Sequence, residues 1–283
     1  MKNQIKTILL LGVLSSILIG FGALLGRNWV GLFALLSVAM NVGAYFFSDK
    51  IVLRMHRAEP VGEAQAPRLY AVIRELAMRA GIPMPRVYRI PSEQPNAFAT
   101  GRNPAHGVVA VTDGILRILN ERELRGVLAH EIGHIANRDI LVSTIAAAVA
   151  GAIASIANIL QWTAIFGGSD DEGTNPIAAL GMAIVAPIAA TLVQLGISRS
   201  REYLADETGA RLSSDPQSLA TALEKLERGS QVIPPARMAP STASLFIVNP
   251  FSGVRGVANL FSTHPPMFER VRRLRAMVLA GGR

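Results

Sequence analysis

Two uncharged runs at the start of the chain, residues 7–26 and 28–48, leave it few ways to fold. Each is about 20 residues, the length a helix needs to cross the hydrocarbon core of a bilayer. Only Arg27 separates them, so they read as a tight helical hairpin. Lys2 and Lys6 precede the first run, as they would in a secretory signal. Its apolar stretch, however, exceeds the ~7–15 residues of a signal peptide, and no A-x-A cleavage site follows. A retained membrane hairpin is the expectation.

Two further uncharged runs, residues 140–166 and 173–198, are also long enough to span, although their Ala- and Gly-rich composition leaves a buried soluble helix as the alternative. Ser143, Ala147, Gly151 and Ser155 recur every fourth position in the third run, a small-residue ridge that lets helices approach closely in lipid. Pro187 should kink the fourth run. Charge then sets the orientation. Lys50, Arg54 and Arg57 follow the second run, Arg138 precedes the third, and Arg199 and Arg201 follow the fourth. The loop between the third and fourth runs holds Asp170, Asp171 and Glu172 and no basic residue. Cytoplasmic loops carry the excess of Lys and Arg, so both termini and the central region are expected to face the cytoplasm.

The formal charge of +8 raises nucleic acid as a partner, but no lysine-rich run with interleaved aromatics suggests a groove for it. With half the residues apolar and only 17% charged, basic cytoplasmic loops beside a lipid bilayer explain the charge better. The chain has no cysteine, so any metal must be held by His and carboxylates.

Between the hairpins the pattern changes to that of a mixed soluble region. Leu69, Val72, Ile73, Leu76, Ala77 and Ala80 follow helical spacing, stopped by Gly81 and Pro83. Arg86 to Ile90 and residues 107–112 read as strands, and residues 96–100 as a short edge strand. Asn120, with Glu123 three residues on, is the signature of a capping box. The helix it opens carries Leu124, Val127, Leu128, Ile132 and Ile135 on one face and runs, with nothing to break it, into the third span. After the fourth run, Asp215 and Pro216 open another helix. A last helix presents Val271, Leu274 and Val278, with Arg270, Arg272, Arg273 and Arg275 read as its solvated face.

On the capped helix lies His130-Glu-Ile-Gly-His134. A spacing of four puts both imidazoles on one face, one turn apart, as two ligands of a tetrahedral zinc require. Glu131 lies beside them, placed to accept a proton from a water that the metal has acidified. A third ligand is needed. Position 140 is Ile, so the His that some proteases supply six residues after the second is missing. His56 and His106 are isolated. Glu202 and Asp206, one turn apart on the helix after the fourth run, fit better. Glu202 would bind the metal while Asp206 accepts the remaining N–H of a ligand imidazole. His264, between Thr263 and Pro265, is a candidate hydrogen-bond donor to the oxyanion, with a structural place before the last helix as the equal alternative. Asn96, Ala97, Phe98 and Ala99 are candidates to pair with an extended substrate by strand addition.

Five stretches then carry a resemblance: Asn96-Ala-Phe-Ala-Thr-Gly, His130-Glu-Ile-Gly-His-Ile-Ala-Asn-Arg-Asp, Arg201-Glu-Tyr-Leu-Ala-Asp, Phe246-Ile-Val-Asn-Pro and Ser262-Thr-His-Pro-Pro. In order and spacing the chain resembles the HtpX family of membrane zinc proteases, relatives of the CAAX prenyl proteases. The resemblance implies a membrane α+β protein. Four transmembrane helices would accompany a mostly helical gluzincin-type catalytic domain with a small β-sheet, facing the cytoplasm of a prokaryote. It also implies one Zn2+ per chain and a role in degrading damaged membrane proteins.

The expected division is a transmembrane hairpin at 1–49, a first catalytic part at 50–139, a second hairpin at 140–198 and a second catalytic part at 199–283. The oligomeric state is not legible. Two other classes fit less well. A silent zinc scaffold has no need of Glu131, and a transporter would place ionisable residues inside its spans, where these four have none.

Overall fold

The computed structural model describes residues 2–149, 199–233, 242, 245–248 and 265–281. His264, the acidic loop and the whole fourth run lie outside the described residues. Helix α1 (Lys2–Leu25) and helix α2 (Val30–Met55) form the expected hairpin, joined by a 3-10 turn at Arg27–Trp29. Its packing is inverted relative to a soluble protein. On α2 the buried side chains include Ser37, Ala44 and Ser48, while Leu32, Leu35, Leu36, Val42, Phe46 and Phe47 face outward. Small groups between helices and large apolar groups outside are what lipid selects. Asn41 donates to Ser15 Oγ at 2.8 Å and ties the two helices together. Among the described residues, Arg27–Met55 is the one helix long and apolar enough to cross a membrane, and the apolar part of α1, Thr7–Gly20, is shorter.

Past the hairpin, strand β1 (Glu59–Pro60) precedes helix α3 (Pro67–Arg79), which starts on proline, where a missing N–H costs nothing. Strands β2 (Arg86–Ile90), β3 (Ala97–Thr100) and β4 (Val108–Thr112) follow. The sheet order is β1-β2-β4-β3, with β2 and β4 parallel and the outer pairs antiparallel. Residues 97–100 are thus an edge strand, one residue shorter than the sequence suggested.

Strand β4 is buried along its whole length because both faces of the sheet are covered. Val109 and Val111 face the main core of Ile73, Leu76, Ile115, Leu128 and Ile132. Val108 and Ala110 face a second cluster with Val52 and Leu53 from α2, Phe98, Ala147 and Phe246. The end of the helical hairpin is therefore built into the sheet, and the Arg86–Asp49 ion pair at 2.7 Å reinforces the junction.

Helix α4 (Asp113–Ile118) leads to helix α5 (Glu121–Ala136), which opens with the full capping box: Asn120 accepts from Glu123 N–H, and the Glu123 carboxylate accepts from Asn120 N–H. Its far end corrects the expectation of an unbroken helix. Asn137 ends α5, Arg138 turns left-handed at φ 56°, and a new helix, α6, begins at Ile140 and is described to Val149. The N–H groups of Arg138 and Asp139 return to the carbonyls of Ile135 and His134, the bonding of a Schellman cap. Helix α3 ends the same way on Gly81 at φ 65°. An arginine in that conformation costs about 1–2 kcal/mol more than glycine, so something must hold it there. Asp139 does, as the site shows. The break also replaces a rigid rod from metal ligand to third span with a bend.

Helix α7 (Arg199–Ser213) and helix α8 (Pro216–Val232), capped by Asp215, pack on α5, and helix α9 (Met267–Gly281) closes the described fold. Helices α5 and α7 approach until only glycine fits. A Cβ on Gly209 would lie 2.8 Å from the His130 backbone nitrogen.

Candidate metal centre

That close approach brings the predicted ligands together. His130 Nε2 and His134 Nε2 are 3.1 Å apart, and Glu202 oxygens lie 3.7 Å and 3.6 Å from them. Among the described residues these three form the one group of His and carboxylate ligands able to hold a metal. Ligands about 2.0–2.1 Å from a tetrahedral zinc stand about 3.3–3.4 Å apart, so the observed spacings fit that ion with a fourth position left open.

The tautomers fit as well. His130 Nδ1 meets Asp206 at 2.9 Å, and His134 Nδ1 meets Asp139 at 3.1 Å. With both Nδ1 atoms engaged by carboxylates, both Nε2 atoms are turned toward the same point, where they can ligate one cation. The surroundings are rich in negative charge. Burial works against a charged His134, yet Asp139, Glu202 and Glu131 outweigh it and raise its pKa to about 10. Burial lowers that of His130, and Asp206 only partly opposes it.

Glu131 is almost wholly buried, and burial pushes its carboxyl up to about 7. One oxygen accepts from the Ala99 backbone N–H of the edge strand, and Oε2 has no hydrogen-bond partner among the described residues. An orphaned carboxylate oxygen beside the His130–His134–Glu202 cluster is the group a water would approach. A base near neutral pKa is well matched to taking and returning a proton.

Two residues beyond the predicted set complete the centre. Asp139 is the first. It orients His134 as Asp206 orients His130, and the Arg138 turn is what swings it back over the last turn of α5. The second corrects the reading of α9. Arg272, Arg273 and Arg275 are exposed, but Arg270 is fully buried. Its guanidinium grips Asp206 through Nε at 2.8 Å and Nη2 at 2.7 Å. Burial opposes that charge and Asp206 more than restores it, while Arg270 in turn holds the Asp206 carboxyl below its usual range despite burial. The signal was in the sequence: Arg270 lies three residues after Met267 and four before Leu274, on the apolar stripe.

The candidate edge lies next to this cluster. Strand β3 pairs with β4 on one side, and the Ala97 carbonyl on the other side accepts from Ile247 N–H at 3.2 Å. Phe98 packs on His56 and Phe246, making His56 a packing histidine. His106 is an exposed loop residue bonded to Asn103.

The chain matches known proteins along most of its length. The profile of Peptidase family M48 matches residues 63–278. A "Protease HtpX homolog" of Syntrophobacter fumaroxidans is 55% identical over 283 residues, covering 98% of this chain and 100% of that protein. One from Pelotomaculum thermopropionicum is 56% identical, with coverage of 98% and 100%, and one from Ralstonia pickettii is 52% identical, with 99% of each covered. Among solved structures, the crystal structure of S. mikatae Ste24p is 19% identical with a TM-score of 0.49. The match covers 96% of this chain and 66% of that one.

Proposed function

The chain belongs to peptidase family M48, among its HtpX proteases, and from that premise we propose that it is a zinc-dependent endopeptidase of the cytoplasmic membrane of a prokaryote. Its substrates are misfolded membrane proteins, and its work is membrane protein quality control. The observation that carries this reading is the His130–His134–Glu202 cluster with Glu131 beside it, in a chain that opens with a hairpin whose large apolar side chains face outward.

One Zn2+ per chain would be held by His130, His134 and Glu202, and would supply the acidification of a water and the polarisation of the scissile carbonyl. The remaining work falls to the protein. Asp206 and Asp139 fix the imidazoles, and Arg270 fixes Asp206. The edge strand aligns an extended peptide by its backbone. Glu131 accepts a proton as hydroxide adds to the carbonyl carbon, then delivers it to the amide nitrogen as the C–N bond breaks. His264 donates to the oxyanion.

Four spans are proposed, with hairpins at 1–49 and 140–198 and a catalytic domain assembled from 50–139 and 199–283. His134 precedes the third run by only six residues, so the site lies close to the apolar layer. Cytoplasmic loops and tails near the bilayer are therefore the favoured cleavage sites.

Sidedness is tested with single cysteines in this cysteine-free chain. Ser213 is buried, so the exposed Gln217 serves for the catalytic side. A membrane-impermeant thiol reagent added to intact cells should label Ser169→Cys, and should label Gln217→Cys only after the cells are opened. Labelling of Gln217→Cys from outside would overturn the cytoplasmic assignment.

A further inference from the structure

The open side of β3 is already engaged by the chain itself. Antiparallel pairing aims the backbone groups of alternate residues at β4, as the bond from Thr112 N–H to Asn96 C=O shows, which turns those of Ala97 and Ala99 the other way. Along that row Ala99 N–H reaches Glu131, and the next carbonyl, Ala97, is bonded by Ile247 N–H. Ile247 C=O accepts from Arg270 Nη1 at 2.8 Å, the same guanidinium that holds Asp206. The Asn96 carboxamide bonds the next residue in both senses: Nδ2 donates to Val248 C=O at 2.7 Å, and Oδ1 accepts from Val248 N–H at 3.4 Å.

Every one of these contacts reads peptide backbone. None depends on the segment being part of this chain, and together they are what strand addition offers to any extended peptide. The side chains supply affinity. Ile247 enters the main core, and the Phe246 ring sits edge-on to Phe98 at 5.3 Å and to His56 at 5.0 Å. Both nitrogens of buried His56 lack a hydrogen-bond partner, so this pocket is shaped for apolar contact.

Resting on the protease reading above, we infer that residues 246–248 occupy the peptide-binding position beside Glu131 as a built-in segment, and that a substrate enters by displacing them and placing an aliphatic side chain where Ile247 sits. A tethered segment competes at an effective concentration on the order of mM. Free peptides at micromolar concentration lose to it. Unfolded chains concentrated in the same membrane compete successfully, which gives a protease facing the cytoplasm a restraint of its own.

The test uses the zinc-loaded full-length chain in detergent, with fluorescently quenched casein as an unfolded substrate. Phe246→Ala removes the aromatic wedge, and Ile247→Pro removes the N–H that bonds Ala97. Each should lower KM for casein by roughly tenfold with little change in kcat, as removal of an internal competitor requires. Folded, zinc-replete variants with wild-type or higher KM would overturn the inference while leaving the protease reading intact, since wild-type cleavage and zinc content report on that separately. Should the variants fail to fold, hydrogen exchange on Glu131→Gln decides. Adding the peptide Ser-Leu-Phe-Ile-Val-Asn, a copy of residues 244–249, should speed exchange at Ile247 and Val248 by unseating them. Unchanged exchange at Ile247 and Val248, at a millimolar peptide concentration that inhibits casein cleavage by the wild-type chain, would refute the displacement.

Discussion

Glu131→Gln should abolish peptide cleavage while leaving zinc in place. The substitution keeps size and shape, and the Gln carbonyl can still accept from Ala99 N–H, so the edge strand and α5 stay where they are. What is lost is the group that takes and returns the proton, for which a factor of about 10²–10⁴ in kcat is expected. His130, His134 and Glu202 are untouched, and metal analysis of the purified variant should match wild type. A variant that cleaves at more than a tenth of the wild-type rate would remove Glu131 from the chemistry. One that is inactive but zinc-free would show that it acts through the metal site.

Glu202→Ala should do the reverse and empty the site. Two imidazoles alone leave the ion with half its ligand set, and the residue lost is the one that brings charge. Zinc should dialyse away under conditions where wild type retains it, and activity should fall with it. Asp206→Ala provides the graded comparison. It removes the acceptor for His130 Nδ1–H and a partner of buried Arg270, and outer partners of this kind are worth about 10–100-fold in metal affinity. Full zinc occupancy in Glu202→Ala would exclude it as a ligand.

The parts of this site that sequence revealed are those governed by local periodicity. A four-residue spacing on a capped helix fixes the relation of His130 to His134, and the same spacing relates Glu202 to Asp206. That the two pairs meet depends on α5 and α7 crossing at Gly209, and the spacing within each helix says nothing of that crossing. The break after Ala136 was hidden for a different reason. Its left-handed position is filled by Arg138, where glycine would have announced it, and a strong apolar pattern resumes at Ile140. Asp139, which the break exists to position, was hidden along with it. Arg270 was misread because a charge between apolar residues of a surface helix is usually solvated. Its burial requires a partner from a distant helix, Asp206, that had been given another role. Strands β2 and β3 were legible from composition, but the segment beside β3 comes from about 150 residues away, and only the folded chain shows which edge it covers.

Zinc removal and return test the central claim most directly. Purified full-length chain should contain one zinc per molecule. A chelator should remove the metal and casein cleavage together, and titrated Zn2+ should restore cleavage in proportion to occupancy, saturating at one equivalent. A wild-type chain that binds no zinc at the His130–His134–Glu202 cluster, or that cleaves at full rate after the metal is gone, would contradict the account.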